Sequence, residues 1–210
     1  MRGALIVIAG TLIALSGCTS GTSQPPRADS TAPVLAPGRP GEQARTLAPS
    51  DAATAVPAPT ANAADITYVQ DMIVHHRQAL DMALLAPTRA DSVKLKSLAD
   101  RIRAAQGPEI QFMSTWLREQ DQKVPDHHAA HGDMPGMATP AQMAALKAAT
   151  GKSFDKLFLE LMINHHLGAI TMSERVLTDG SHIKIEELAT DVSVTQTAEI
   201  GHMREMQAAP

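Results

Sequence analysis

Aromatic residues are almost missing from this 210-residue chain: one Trp, one Tyr and three Phe make up 2% of it. A core of stacked rings is excluded, so any packed interior must be built from Leu, Ile, Ala and Met. Cysteine is scarcer still. The single Cys18 allows no intramolecular disulfide and rules out a cysteine-rich zinc site. Basic charge is also short, with 18 Lys and Arg against 22 Asp and Glu and a net charge of −4. Without a basic stripe to neutralise phosphates, nucleic acid is not a partner.

The sequence has one conspicuous apolar run, Ala4 to Leu15, interrupted only by Gly10 and Thr11 and preceded by Arg2. At about a dozen residues it is too short to cross a hydrocarbon core of roughly 30 Å, but it suits the apolar region of a secretory signal. Leu15-Ser16-Gly17-Cys18 resembles a bacterial lipobox, in which the cysteine thiol takes a diacylglycerol before cleavage. Residues 1–17 are therefore expected to be a lipoprotein signal peptide and Cys18 the lipidated anchor. The protein would be exported and held at the membrane surface of the cell envelope. From 18 to 64 the chain is rich in Pro, Ala, Ser and Thr and has no helical or strand periodicity, which predicts a disordered linker.

Histidine and methionine are plentiful instead. All nine His and ten of the eleven Met lie after residue 65. The same region contains an internal repeat with an offset of ninety: Met72-Ile73-Val74-His75-His76 reads against Met162-Ile163-Asn164-His165-His166. The register continues without a gap through Ala79/Ala169, Met82/Met172, Leu98/Leu188 and Ala99/Ala189, then Gln106/Gln196, Glu109/Glu199, Ile110/Ile200 and Met113/Met203. Twelve identities in one register indicate a duplication.

Each copy reads as a helical hairpin. The first helix is expected from Asp65 to Ala86, where Pro87 forbids continuation. Asp91 or Ser92 can cap a second helix to Gln120, which Gly107-Pro108 should kink or split. In the second copy Ser153 can cap a helix to Leu177. Gly180 makes the turn, and a last helix spans Ser181 to Gln207. A short helix at 141–150, capped by Thr139 with Pro140 in its first turn, should precede the second copy. Two hairpins with apolar stripes they cannot bury alone predict an all-α four-helix bundle over 65–208.

On helices of this kind Met72, His75, Ala79 and Met82 form one stripe, with His76 on its flank, and Met162, His165, Ala169, Met172 and His166 repeat it. Gln106, Glu109 and Met113 make a facing stripe, copied by Gln196, Glu199 and Met203. Counting back from the turns brings imidazole, thioether and one carboxylate to a common depth in each half. This donor mixture favours Cu(I), with Cu(II) tolerated by imidazole and carboxylate. A ferritin-type di-iron centre would need four Glu and two His in Glu-x-x-His pairs, which these stripes lack. Adjacent histidines point about 100° apart, so one of each pair is left for a second site or an interhelix hydrogen bond. Glu109 and Glu199 would bind Cu(II) or orient histidines. The linker from Asp126 to Met137 adds three His and two Met, a metal-binding composition that would capture ions or lid the site. Taken singly, each of these residues has a plainer use as core packing or solvated helix surface. Their coincidence at mirrored levels, twice, argues for a metal centre.

The motif Met-Ile-x-His-His-x-x-Ala-x-x-Met, at Met72 to Met82 and again at Met162 to Met172, resembles the bacterial family known as domain of unknown function 305. Gly132 to Met137 and Phe154-Asp155 through His166 add to the likeness. The resemblance covers Asp65 to Met206 and implies an exported bundle, ferritin-like in fold, in a family with members implicated in periplasmic or extracellular copper binding and tolerance. Gly107-Pro108 has no counterpart at Thr197-Ala198, so the two halves are not equivalent. The leading expectation is a non-enzymatic copper protein that sequesters or transfers the ion outside the cytoplasmic membrane. A metal-dependent redox enzyme and a metal-free structural module are the alternatives.

Overall fold

The structure is a computed structural model and describes residues 33–36, 43–48, 51, 60–126 and 134–208. The expected signal peptide, Cys18 and the loop histidines His127, His128 and His131 lie outside the described residues. The chain divides into two units, 1–56 and 57–210. In the first, β1 (Val34–Ala36) pairs antiparallel with β2 (Arg45–Leu47), Leu35 opposite Thr46. The six strand residues are exposed or half-buried.

The second unit is the four-helix bundle. It consists of α1 (Ala63–Ala83), a one-turn α2 (Ala86–Arg89), α3 (Val93–Glu119), a short α4 (Pro140–Ala148), α5 (Gly151–Asp179) and α6 (Ile183–Ala208). α1 packs on α3, α5 packs on α6, and the two hairpins join chiefly through α1 against α5. None of the helices described is long and apolar enough to cross a membrane.

Local chemistry sets the helix ends. Asn62 accepts from Asp65 N–H while the Asp65 carboxylate accepts from Asn62 N–H, a capping box that starts α1. Asp65 is buried, and its carboxylate also receives Ser181 N–H from the α5–α6 turn, which ties the start of the first hairpin to the tip of the second. Ser92 caps α3 as its sequence suggests, and Thr139 caps α4 in a box with Gln142.

Three expectations about boundaries are corrected. α1 ends at Ala83 rather than Ala86, and Pro87 is the second residue of the extra turn α2, where a missing N–H costs nothing. Pro108 lies inside α3, which runs as one helix over 27 residues without splitting. Ser153 is interior to α5, which starts at Gly151 after Thr150.

Candidate metal centre

Each His-His pair sits midway along a central helix with both rings turned inward. His75, His76, His165 and His166 have no solvent exposure. His75 and His165 come from equivalent positions in the repeat and face one another, ring centroids 3.7 Å apart and planes tilted by 36°. His75 Nε2 donates to the Pro135 carbonyl at 3.0 Å, leaving Nδ1 with a lone pair and no partner. Neither nitrogen of His165 makes a hydrogen bond.

The second histidine of each pair crosses to the other helix of its own hairpin. His76 Nε2 donates to Glu109 Oε2 at 2.7 Å, and His166 Nε2 donates to Glu199 Oε2 at 2.6 Å. Both rings keep an unpartnered Nδ1. The carboxylates hold these imidazoles in one tautomer and orientation, as carboxylates behind metal-bound histidines do. Gln106 and Gln196, at the same level, also carry buried side-chain atoms without partners.

The six buried methionines divide into two groups. Met72, Met113 and Met172 belong to a core cluster with Tyr68, Val69, Trp116 and Val192. Met82, Met162 and Met203 belong to another, with Leu98, Ile102, Phe154 and Phe158. Each group therefore takes two thioethers from one hairpin and the third from the opposite hairpin, and the repeat maps one group onto the other. The single stripe Met72-His75-Met82 read from the sequence is real along α1, but its two ends serve different clusters.

Buried polar atoms without partners are costly unless something satisfies them. Four histidines contribute five such nitrogens here, and because a neutral ring keeps one N–H, four lone pairs, one per ring, are free for a metal ion. Among the described residues no three His, Cys, Asp or Glu side chains group as a metal shell. The core around these rings also holds buried methionines, and imidazole and thioether are donors that as a class suit Cu(I).

Burial dominates the electrostatics. It pushes His75 down to about 3, helped by the neighbouring His76 and opposed by the hydrogen bond to Pro135. His165 is driven well below the ordinary histidine value by burial and then by His75. Both rings are therefore neutral and able to ligate at physiological pH. Burial also raises Tyr68, whose hydroxyl pairs with Ser173 Oγ at 2.9 Å, and raises Asp71.

Sequence reasoning missed how the loop is seated. The Pro135 carbonyl on His75 requires the chain to lie against α5, and two glycines permit it. Gly136 has φ +76°, and a Cβ there would strike the Asn164 carbonyl. A Cβ on Gly168 would strike the Pro135 carbonyl. The available signal was Gly168 itself, an isolated glycine in a helical pattern, which usually marks a close backbone approach. Gln78 completes the seat by exchanging hydrogen bonds with the Ala138 backbone at 2.9 and 2.7 Å.

Beside this seat a groove of about 590 Å³ opens between the first half of α1 and the last turns of α5. Thr67, Tyr68, Asp71, Met134, Met172 and Arg175 are among the residues that line it.

Comparison with known proteins places this geometry in a family. No curated protein matches the chain. Among solved structures it is similar to a DUF305 fragment from Deinococcus radiodurans, with 33% identity over 70% of this chain and 97% of that one, at a TM-score of 0.65. It is also similar to CopM in its Cu(II)-bound form, with 33% identity over 68% and 94% of the two chains and a TM-score of 0.59. The Cu(I)-bound form of CopM gives 31%, the same coverage and 0.58. The profile of the family described as "Domain of unknown function (DUF305)" matches residues 65–207, and the chain belongs to that family.

Proposed function

We propose that this protein is a non-enzymatic Cu(I)-binding lipoprotein that sequesters or hands on copper outside the cytoplasmic membrane. The observation that carries the reading is the set of four fully buried histidines, each with an unpartnered ring nitrogen, in a bundle whose core also holds two groups of three methionines. His75 and His165 are the central donors. Met72, Met82, Met113, Met162, Met172 and Met203 are the thioethers within the core, and Glu109 and Glu199 orient His76 and His166. The likeness to CopM, solved with Cu(II) and with Cu(I), supports copper as the ion.

The reading extends to the anchor. Cys18 after its short apolar run supplies the lipid attachment, and the 18–64 linker supplies distance from the membrane surface. A Cys18→Ser protein is expected in the soluble extracytoplasmic fraction instead of the membrane fraction. Retention of that variant in the membrane would remove the anchor from the proposal.

Copper binding is tested by competition with a Cu(I) chelator. Replacing His75, His76, His165 and His166 together by alanine should weaken affinity by at least about a hundredfold, the loss of two kinds of ligand pair at 1.4 kcal/mol per decade. Circular dichroism checks that the variant is folded. Unchanged affinity in a folded variant defeats the assignment. A native protein that neither takes up copper nor gains thermal stability from it supports the metal-free structural alternative, because a ligand of the native state must raise stability.

A further inference from the structure

The two halves of the bundle share a sequence register but not a surface. Around the second half, Met82, Ala86 and Phe158 are fully buried, and Leu146 from α4 packs in the same cluster. Their repeat counterparts in the first half are Met172, Val176 and Tyr68, and these line the open groove. No helix equivalent to α4 covers them among the described residues. Met172 accordingly keeps 7% exposure where Met82 has none. Met172 also belongs to the core cluster of Met72 and Met113, so its side chain spans from the groove to the interior. Met134, which packs against that cluster, lies on the same groove, next to the Pro135 carbonyl that holds His75.

We infer that this groove is an entrance and exit for the metal, with Met134 as the outer thioether that passes Cu(I) to Met172 and the histidines within. The inference rests on the copper reading above and assigns its route. A thioether is a sound relay for Cu(I), because it binds the soft ion without deprotonating and releases it to imidazole or to another sulfur. Among the described residues, α4 covers the equivalent path in the second half and no helix covers this one.

Thr67 is exposed at the mouth of the groove, and a Thr67→Trp substitution would fill it without disturbing the core. Ser97 is an exposed residue lining a separate cavity of about 1080 Å³ bordered by α3, α5 and α6, and Ser97→Trp is the control. The copper-loaded full-length protein is mixed with excess Cu(I) chelator and the transfer rate is followed. T67W should slow transfer at least tenfold while equilibrium affinity changes less than threefold, and S97W should leave the rate within twofold. M134L should slow transfer several-fold. An unchanged rate in T67W, or equal slowing in S97W, overturns the route, and an unchanged rate in M134L overturns the part given to that residue.

A second measurement needs no metal. Hydrogen peroxide converts a thioether to its sulfoxide by giving up one oxygen and leaving water. In the metal-free protein Met172 should be oxidised before Met82, and T67W should slow oxidation of Met172 at least fivefold. Equal oxidation of Met172 and Met82, or no protection by T67W, overturns the route whether or not copper binds. Failure of the wild-type protein to bind copper, with Met172 still protected by T67W, would refute the copper reading and leave the opening established.

Discussion

Two carboxylates carry the orientation of the outer histidines, and their environments differ enough to rank them. The Glu199 side chain is 14% exposed and that of Glu109 24%, while both imidazoles are fully buried. Removing a carboxylate strands a buried N–H, which costs about 1–3 kcal/mol when water cannot replace the partner. Glu199→Ala should therefore destabilise the metal-free protein by more than Glu109→Ala, because water reaches the second site more easily. Urea unfolding of both variants measures the order. A reversed order, or no loss in either, would mean that these bonds do not hold the rings. Gly168 makes a second claim at the same scale. A methyl group there meets the Pro135 carbonyl, so Gly168→Ala must push the loop off α5 and break its bond to His75. The expected cost is about 1–3 kcal/mol for an overpacked contact, with faster proteolysis between α3 and α4 as its sign.

Helix termini and helix interiors record how much of this molecule could be read from its residues. The doubled His-His motif, the ninety-residue register and the cap at Ser92 gave the bundle and its hairpins, because periodicity and capping are local properties. Boundaries that depended on one residue against its neighbours were less legible. Pro108 argued for a break in α3, but Ile102, Ile110 and Met113 on either side of it are buried in the core, and that packing keeps the helix continuous. The division of the methionines between two clusters was hidden for a different reason: it depends on how α1 meets α5, a tertiary fact that spacing along either helix does not contain. The loop seat was equally hidden, since a carbonyl contributes no side-chain signal. Gly201 shows the contrast with Gly168. It lies exposed within α6, and a Cβ there meets nothing within 4 Å. Gly201→Ala should raise stability by about 0.5–1 kcal/mol through helix propensity alone, measured as an increased denaturation midpoint. A loss of stability would show that the position serves a contact.

For the whole molecule, the buried histidine pair makes metal-free stability depend on pH in a particular window. In the unfolded chain His75 and His165 titrate near 6.5; in the folded protein His75 is pushed down to about 3 and His165 lies well below 6.5. The unfolded state therefore binds more protons in this range, and stability must fall as pH falls. The full contribution is present above about 6.5 and is lost progressively below it, for His75 down to about 3, at up to roughly 1.4 kcal/mol per pH unit for each ring. Against a total of about 5–15 kcal/mol, two such rings remove a large share of the stability as the pH falls toward about 4.5. His165 makes no hydrogen bond of ordinary geometry and only a weak contact with the His75 backbone, so His165→Leu probes the effect with little else lost. That variant should flatten the fall in stability between pH 6.5 and 4.5 by up to one proton's slope, as measured by urea unfolding across pH. The same burial alters what acid does to a bound ion. Neutral rings at His75 and His165 face no proton competition at 6.5, so Cu(I) should be retained well below that pH and released where the fold itself gives way. Parallel curves for release and unfolding would tie metal discharge to opening of the bundle. Release near pH 6.5 from a still-folded protein would show that the ligands are histidines other than this buried pair.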